Sequence, residues 1–411
     1  MAYETALDEE ATGRLDEVGR ADILVGVPSY NNAGTIAYVV ETAARGMVRC
    51  FPNLKPVVVN SDGGSADGTC QAVLQASVPT GVEVIAGQYR GVPGKGSALR
   101  AIFEAARHLG VRLCIVLDSD LRSITPEWIE LLGRPIVAGE HDYVAPYYVR
   151  DKYDGTITNN IVYPMTRMLY GVDVRQPIGG DFAVASWLLG AYLGQDVWET
   201  DVARYGIDVW MTTTAINEGA RVCQAYLGAK IHDAKDPAEA LGPMFRQVVG
   251  TLFGLMQRYE NKWKAVTSSQ PIRLYGTLRE VLPEPVPVSL DAMIAKLRDG
   301  RREWSETWDA VLSPSNRRVL EEIIERDAGS FYFDAAEWAD IALDYAVAYN
   351  RRGLDRNRVI DSMVPLYYGR IAGMVVRSRP MGVATFERDI VQAQARLFEH
   401  LKPELIARWQ S

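Results

Sequence analysis

The chain has 411 residues, 48% apolar and 23% charged, the make-up of a folded globular protein with room for one large α/β domain and a second, smaller one. A net charge of −8 argues against a general nucleic-acid or anionic-membrane binder and leaves small anions in a local basic pocket as the expected ligands. The four cysteines are widely spaced, with no Cys-x-x-Cys pair for a zinc site, and no stretch reaches the ~18 apolar residues of a membrane span, so reduced thiols and a cytoplasmic setting are expected.

Residues 1–20 are acidic, lack the basic and apolar regions of a signal peptide, and read as an N-terminal extension. From residue 21, β-branched runs at 23–27, 57–59, 82–85 and 113–117 alternate with helical spacing at 33–45, 66–76 and 95–108. That alternation predicts a mostly parallel sheet covered by helices, with ligands bound beyond the strand C-termini. Pro28-Ser29-Tyr30-Asn31-Asn32, Asn60-Ser61-Asp62-Gly63-Gly64 and Asp118-Ser119-Asp120 each follow a strand, so these polar loops converge on one sheet edge. Next come a helix at 126–137, a strand at 143–149, a tight turn at Gln176-Pro177-Ile178-Gly179-Gly180-Asp181 and a helix from near residue 183. An apolar helix at 209–216 and a strand at 221–231 ending on His232 complete a domain predicted over 21–262. Helical spacing dominates beyond 237, Pro283, Pro285 and Pro287 mark a linker, and 263–411 reads as a helical C-terminal domain. Tyr367 and Tyr368 read there as exposed aromatics that offer a homodimer surface.

The chemistry-bearing residues cluster at the predicted strand ends. Asp118-Ser119-Asp120 places two carboxylates where a hard divalent cation such as Mg²⁺ or Mn²⁺ could bind together with substrate phosphates; the alternative is a solvated turn. The loop from Gly91 to Ser97 opens a helix, and its N–H groups and Lys95 suit a diphosphate. It is not a Walker A loop, because the first glycine of that motif would fall on Tyr89 and Gly96 follows the lysine; the alternative is a flexible loop with a solvated lysine. Ser61 or Asp62 could meet a nucleobase or ribose, or their loop could simply cap the next helix. His232, at a strand end, could complete an Asp/Asp/His set around a metal, whereas His108, His141 and His400 fit packing roles. Gly179 and Gly180 permit close backbone approach to a ligand, or only a turn. Asp208 is either a helix N-terminal charge or an acceptor for sugar hydroxyls.

In that order, these segments resemble the GT-A glycosyltransferases, and among them the retaining enzymes that make mannosylglycerate, glucosylglycerate and glucosyl-3-phosphoglycerate, over roughly residues 20–262. The resemblance implies that Asp120 and His232 bind Mg²⁺ or Mn²⁺, with Asp118 reaching the metal or the donor ribose. It implies Pro28, Tyr30, Asn31, Ser61, Lys95, Ser119 and Gly179 around a nucleoside-diphosphate sugar, with Lys95 on the diphosphate. Asp208 would hold sugar hydroxyls, the Ile178 carbonyl would steady an oxocarbenium-like state, and Arg150, Thr158 and Gly180 would meet the acceptor. Where the glucosyl-3-phosphoglycerate enzymes carry Gly-Arg-x-Thr, this chain reads Gly155-Thr156-Ile157-Thr158, without the guanidinium that grips a phosphate. D-Glycerate is therefore the expected acceptor, with 3-phosphoglycerate as the alternative. A sugar-nucleotide pyrophosphorylase would need a glycine-rich basic loop where Pro28-Ser29-Tyr30-Asn31-Asn32 stands, and a catalytically silent nucleotide-binding domain is the third reading.

Overall fold

The computed structural model describes residues 4–232 and 237–410. Its strands are β1 (Ile23–Ser29), β2 (Pro56–Asp62), β3 (Glu83–Gln88), β4 (Leu113–Val116), β5 (Tyr143–Val149), β6 (Phe182–Ala185), β7 (Val222–Ala229) and β8 (Leu274–Tyr275). They form one sheet in the order β3-β2-β1-β4-β6-β5-β7-β8. All pairs are parallel except those of β6, which runs antiparallel to both β4 and β5. Every residue of β1 and β4 is buried, as expected of strands covered on both faces. The helices Ile36–Cys50 and Pro126–Val137 contribute Val40, Met47, Trp128 and Leu132 to the same core cluster as Val25, Val27 and Ile115.

β6 stands where helical spacing was expected from near residue 183, and the helix begins only at Ser186. Four apolar residues are too few for periodicity to separate strand from helix, and pairing from Leu113↔Ala185 to Val116↔Phe182 decides the matter. The acidic N-terminal segment is integral to the fold. Asp8 caps the helix Glu9–Val18 at Ala11 N, 2.7 Å, and accepts from Gln88 N of β3 at 2.8 Å, so this helix is pinned to an edge strand that would otherwise lie open.

The chain divides into two compact units, one of residues 4–149, 174–232 and 272–283 and the other of residues 150–173, 237–271 and 284–410. The division thus does not fall at 262. In the second unit the helices Tyr163–Tyr170 and Pro237–Arg258 are bonded to the C-terminal helices: Lys402 Nζ donates to Met168 O at 2.9 Å, Arg167 pairs with Glu399 at 2.9 Å, and Asn350 Nδ2 donates to Phe253 O at 2.9 Å. Residues 274–275 return to the sheet of the first unit as β8. The expectation of exposed Tyr367 and Tyr368 is also corrected. They are 0% and 3% exposed, and Tyr367 stacks on Phe245 at 4.3 Å, so neither is offered to a partner subunit. Among the described residues no helix is long and apolar enough to cross a membrane.

Two predictions follow from packing and charge. A Cβ at Gly300, inside the helix Leu290–Val311, would lie 2.4 Å from Pro365 Cβ. Alanine gains about 1 kcal/mol of helix propensity over glycine, but overpacking costs about 1–3 kcal/mol, so Gly300→Ala is expected to lower stability on urea unfolding; a gain would refute the contact. In the first unit Asp142 accepts from Arg221 N at 2.9 Å, Arg221 Nε at 2.8 Å and Trp187 Nε1 at 3.3 Å, tying together the starts of β5 and β7. The Arg221 side-chain bonds, opposed by burial, hold its pKa at about 2, below the ordinary 3.8. A depressed carboxyl stabilises the fold above its unfolded pKa, so the stability advantage of wild type over Arg221→Met should hold above about pH 4 and vanish by about pH 2.

Candidate active site

Asp118 leaves the sheet two residues after β4, with its backbone N–H fixed by Asp181 Oδ1 at 2.8 Å. Two ammonium groups meet its carboxylate: Lys95 Nζ at 2.8 Å from Oδ1 and Lys230 Nζ at 2.7 Å from Oδ2. Burial opposes ionisation of Asp118, but Lys230 and Lys95 outweigh it and hold the carboxyl well below the usual carboxylate range. Burial likewise opposes the Lys95 charge and is outweighed by Asp118 and Asp208, which keep it protonated far above the ordinary lysine range.

Lys95 opens the helix Lys95–His108, and Asp208 lies in the first turn of the helix Ile207–Asn217; their charged ends are 3.4 Å apart. The glycines around Lys95 explain that approach. A Cβ on Gly96 would lie 1.8 Å from Val202 O, and Gly94, at φ +157°, has Ala203 O at 2.6 Å from the same position. Gly96 N donates to Arg204 O at 3.2 Å and Gly94 N to the Tyr89 hydroxyl at 2.9 Å. These N–H groups therefore hold protein rather than standing ready as a phosphate cradle, and the glycine pattern serves the docking of residues 202–204, which lead into Asp208. Burial raises the Asp208 pKa despite Lys95, and its Oδ1 is a buried acceptor without a donor among the described residues.

Asp120 Oδ2 faces His232 Nδ1 at 3.9 Å. The segment after β7 is strapped alongside by Arg122 N to Ile231 O at 2.9 Å and Ile231 N to Ser123 Oγ at 2.9 Å. Burial, and next the Asp118 charge, raise the Asp120 pKa. Ser119 donates to Asn32 Oδ1 at 2.8 Å, and its carbonyl accepts from Thr35 Oγ1 at 2.8 Å.

In the nucleotide-side loops, Pro28 pairs with Ser61 across β1 and β2. Asp62 is fully buried and accepts from Ser29 Oγ, Gly64 N, Ser65 N and Ser65 Oγ, so it organises its own loop instead of reaching a ligand. Ser61, 3% exposed, keeps a hydroxyl without a partner among the described residues. Asn31 takes a left-handed conformation at φ +57° and donates its N–H to Ser65 Oγ at 2.7 Å, while the Tyr30 ring is 64% exposed.

The Gln176–Gly180 turn is pinned by Gln176 Nε2 to Tyr148 O at 3.0 Å and by Thr212 Oγ1 to Pro177 O at 2.7 Å; Ile178 is half-buried within it. Gly180, at φ +96°, is obligatory, since a Cβ there would lie 2.1 Å from Asp118 Oδ2. In the second unit, Arg150 bonds Asp154 at 3.3 Å, and a Cβ on Gly155 would lie 3.6 Å from Arg150 Nη1 and 3.9 Å from Thr158 Oγ1, so the two side chains flank this glycine.

The structure thus joins Lys95, Asp118, Asp208 and Gly180 in one cluster and pairs Asp120 with His232. Sequence reasoning missed Lys230 and Asp181. The signals were slight: Asp181 directly follows Gly179-Gly180, and Lys230 lies two residues before His232.

Residues 24–187 match the model of glycosyl transferase family 2 and run from β1 to β6 of the mixed sheet. Asp208, Lys230 and His232 lie beyond the matched span. No curated protein sequence matches the chain significantly. Among solved structures, it is similar to glucosyl-3-phosphoglycerate synthase from Mycobacterium tuberculosis in complex with Mn²⁺, UDP-glucose and phosphoglyceric acid, at 24% identity and a TM-score of 0.45, covering 59% of this chain and 82% of that one. The same synthase in complex with Mg²⁺ and UDP matches at 23% identity and a TM-score of 0.44, over 59% and 82% of the two chains.

The Lys95–Asp208 pair has a direct test. Lys95→Met and Asp208→Asn should each change stability, and the double variant should depart from their sum by about 1–3 kcal/mol; additivity in urea unfolding would show that the pair is not coupled.

Proposed function

We propose that the protein is a metal-dependent retaining hexosyltransferase that moves glucose or mannose from a nucleoside-diphosphate sugar to the 2-hydroxyl of D-glycerate, making glucosylglycerate or mannosylglycerate. The observation that carries this reading is the Lys95 ammonium held between Asp118 and Asp208 at the end of β4, with the Asp120–His232 pair following two residues on.

The residues fit a hard divalent cation. Asp118, Asp120, Asp181 and Asp208 outnumber Lys95 and Lys230, leaving an excess of negative charge, and Asp120 and His232 offer the oxygen and imidazole donors that Mg²⁺ and Mn²⁺ accept. Among the described residues no cluster of three or more such side chains exists, so donor phosphate oxygens would complete the shell. When bound, the metal would neutralise charge developing on the departing diphosphate. Asp118 is held by both lysines and is the less available ligand.

Lys95 would donate to the diphosphate as that charge develops, exchanging one carboxylate contact for a phosphate oxygen. The unpartnered Asp208 Oδ1 would accept from a sugar hydroxyl, and the Ser61 hydroxyl, beside Pro28, would meet the nucleotide along with Tyr30, Asn31, Ser119 and Gly179. The acceptor hydroxyl attacks on the face from which the diphosphate departs and passes its proton to a diphosphate oxygen, so no side-chain base is needed. The Ile178 carbonyl would steady the positive charge at the anomeric carbon, and Gly180 would keep acceptor space beside Asp118. Arg150 and Thr158 would take the glycerate carboxylate, a planar anion suited to a guanidinium. Thr156 is 2% exposed and spends its hydroxyl on Tyr367 at 2.7 Å, which leaves nothing there for an acceptor phosphate and supports glycerate over 3-phosphoglycerate.

Incubation with UDP-, GDP- or ADP-sugars and Mg²⁺ or Mn²⁺ should release nucleoside diphosphate on addition of D-glycerate, and Asp120→Ala and His232→Ala should each abolish that release. Faster turnover with 3-phosphoglycerate would replace the acceptor, pyrophosphate-dependent nucleotide formation would favour a pyrophosphorylase, and wild-type rates in both variants would remove the metal pair.

A further inference from the structure

Lys230 presents an unusual combination. Its side chain is 3% exposed, yet it lies one residue past β7 and at the centre of the charged cluster. The ammonium donates to Asp118 Oδ2 at 2.7 Å, Gly179 O at 2.8 Å and Asp181 Oδ2 at 2.9 Å, and lies 5.1 Å from the centre of the Tyr148 ring. An ammonium has three N–H donors, and these acceptors account for all of them. Lys230 therefore has no donor left over for a ligand, unlike Lys95, whose second carboxylate contact is a long 3.4 Å.

The acceptors belong to two separate pieces of chain: Asp118 in the loop after β4, and Gly179 with Asp181 in the segment that leads into β6. Asp181 is fully buried and bridges them, taking the Asp118 N–H on one oxygen and Lys230 with the Tyr148 hydroxyl on the other. Gly180 closes the arrangement. A Cβ at that residue would lie 3.0 Å from Lys230 Nζ as well as against Asp118, so the turn approaches as closely as backbone allows.

We propose that Lys230 is a positioning residue which, through its three-point bond, sets the Ile178–Gly180 turn against Asp118 and so fixes the sugar-facing backbone relative to the diphosphate-binding edge. The inference rests on the transferase reading given above. A residue in that role acts on the alignment of reacting atoms more than on donor affinity. Lys230→Met keeps much of the stem's volume and removes the three bonds.

The test is steady-state kinetics on the full chain with the donor, metal and D-glycerate that support turnover, alongside thermal unfolding. Lys230→Met is expected to lower kcat by about 10²-fold, the cost of a misplacement near 1 Å, with donor KM shifted by less than about threefold. The second variant, Asp181→Asn/Lys230→Met, removes one buried charge of each sign and guards against a single variant that fails to fold. Positioning requires this double variant to fold and remain slow. Recovery of wild-type kcat in the double variant would show that Lys230 only balances charge, and a loss confined to KM would show that it binds donor; either overturns the proposal. So does Lys230→Met at wild-type rate, which leaves the transferase reading standing. A wild-type protein that transfers sugar to no acceptor overturns the transferase reading and this inference together.

Discussion

The site depends on a carboxylate that should not be comfortable where it is. Asp118 sits at the end of a fully buried strand, where desolvation disfavours charge, and it remains ionised because an ammonium meets each of its oxygens. Lys95 arrives from a helix start, Lys230 from the end of β7, and each brings a further element with it. Through Lys95 comes Asp208, and through Lys230 come Asp181 and the Gly179 carbonyl. Removing either lysine leaves buried carboxylate without one of its partners, so the cluster ties these loops together at a cost for any change that breaks it.

This arrangement divides the acidic groups by what they have left to give. Asp62, rich in polar neighbours, uses its carboxylate on its own loop, and Asp181 uses its on Lys230, Tyr148 and the Asp118 amide. Among the described residues Asp208 Oδ1 has no hydrogen-bond donor, and Asp120 faces the His232 imidazole at 3.9 Å, longer than a hydrogen bond. Acceptor capacity for a ligand or a cation therefore concentrates at Asp208 and Asp120, while the structural carboxylates are already saturated.

Much of this was legible in the sequence where local pattern and tertiary role agree. The run from Leu113 to Leu117 had to be a buried strand, and a polar triplet directly after it had to emerge at a sheet edge. Lys95 and Asp208 were visible because a glycine-flanked lysine and an acidic helix start are themselves local signals. The glycines were visible too, but not their reason, which is the passage of residues 202–204 against them. Lys230 and Asp181 carried no motif, since a lysine at a strand end and an aspartate after a turn are ordinary until their partners are known. Residues 150–173 and 237–262 read locally as a continuation of the first domain. Their assignment to the second unit depends on bonds to helices far along the chain, Lys402 to Met168 and Arg167 to Glu399 for the first segment and Asn350 to Phe253 for the second.

The burial of Thr156 shows how a missing side chain can be replaced by packing. A guanidinium at that position would have needed space and a counter-anion; the space is taken instead by Tyr367, whose hydroxyl meets Thr156 and whose ring stacks on Phe245. Tyr367 is fully buried, and burial raises its pKa well above the ordinary phenol value, so it stays a neutral hydrogen-bonding partner. The second unit thus fills position 156 with a neutral, apolar-backed pair, while Arg150 flanks Gly155 with Thr158 and is paired with Asp154.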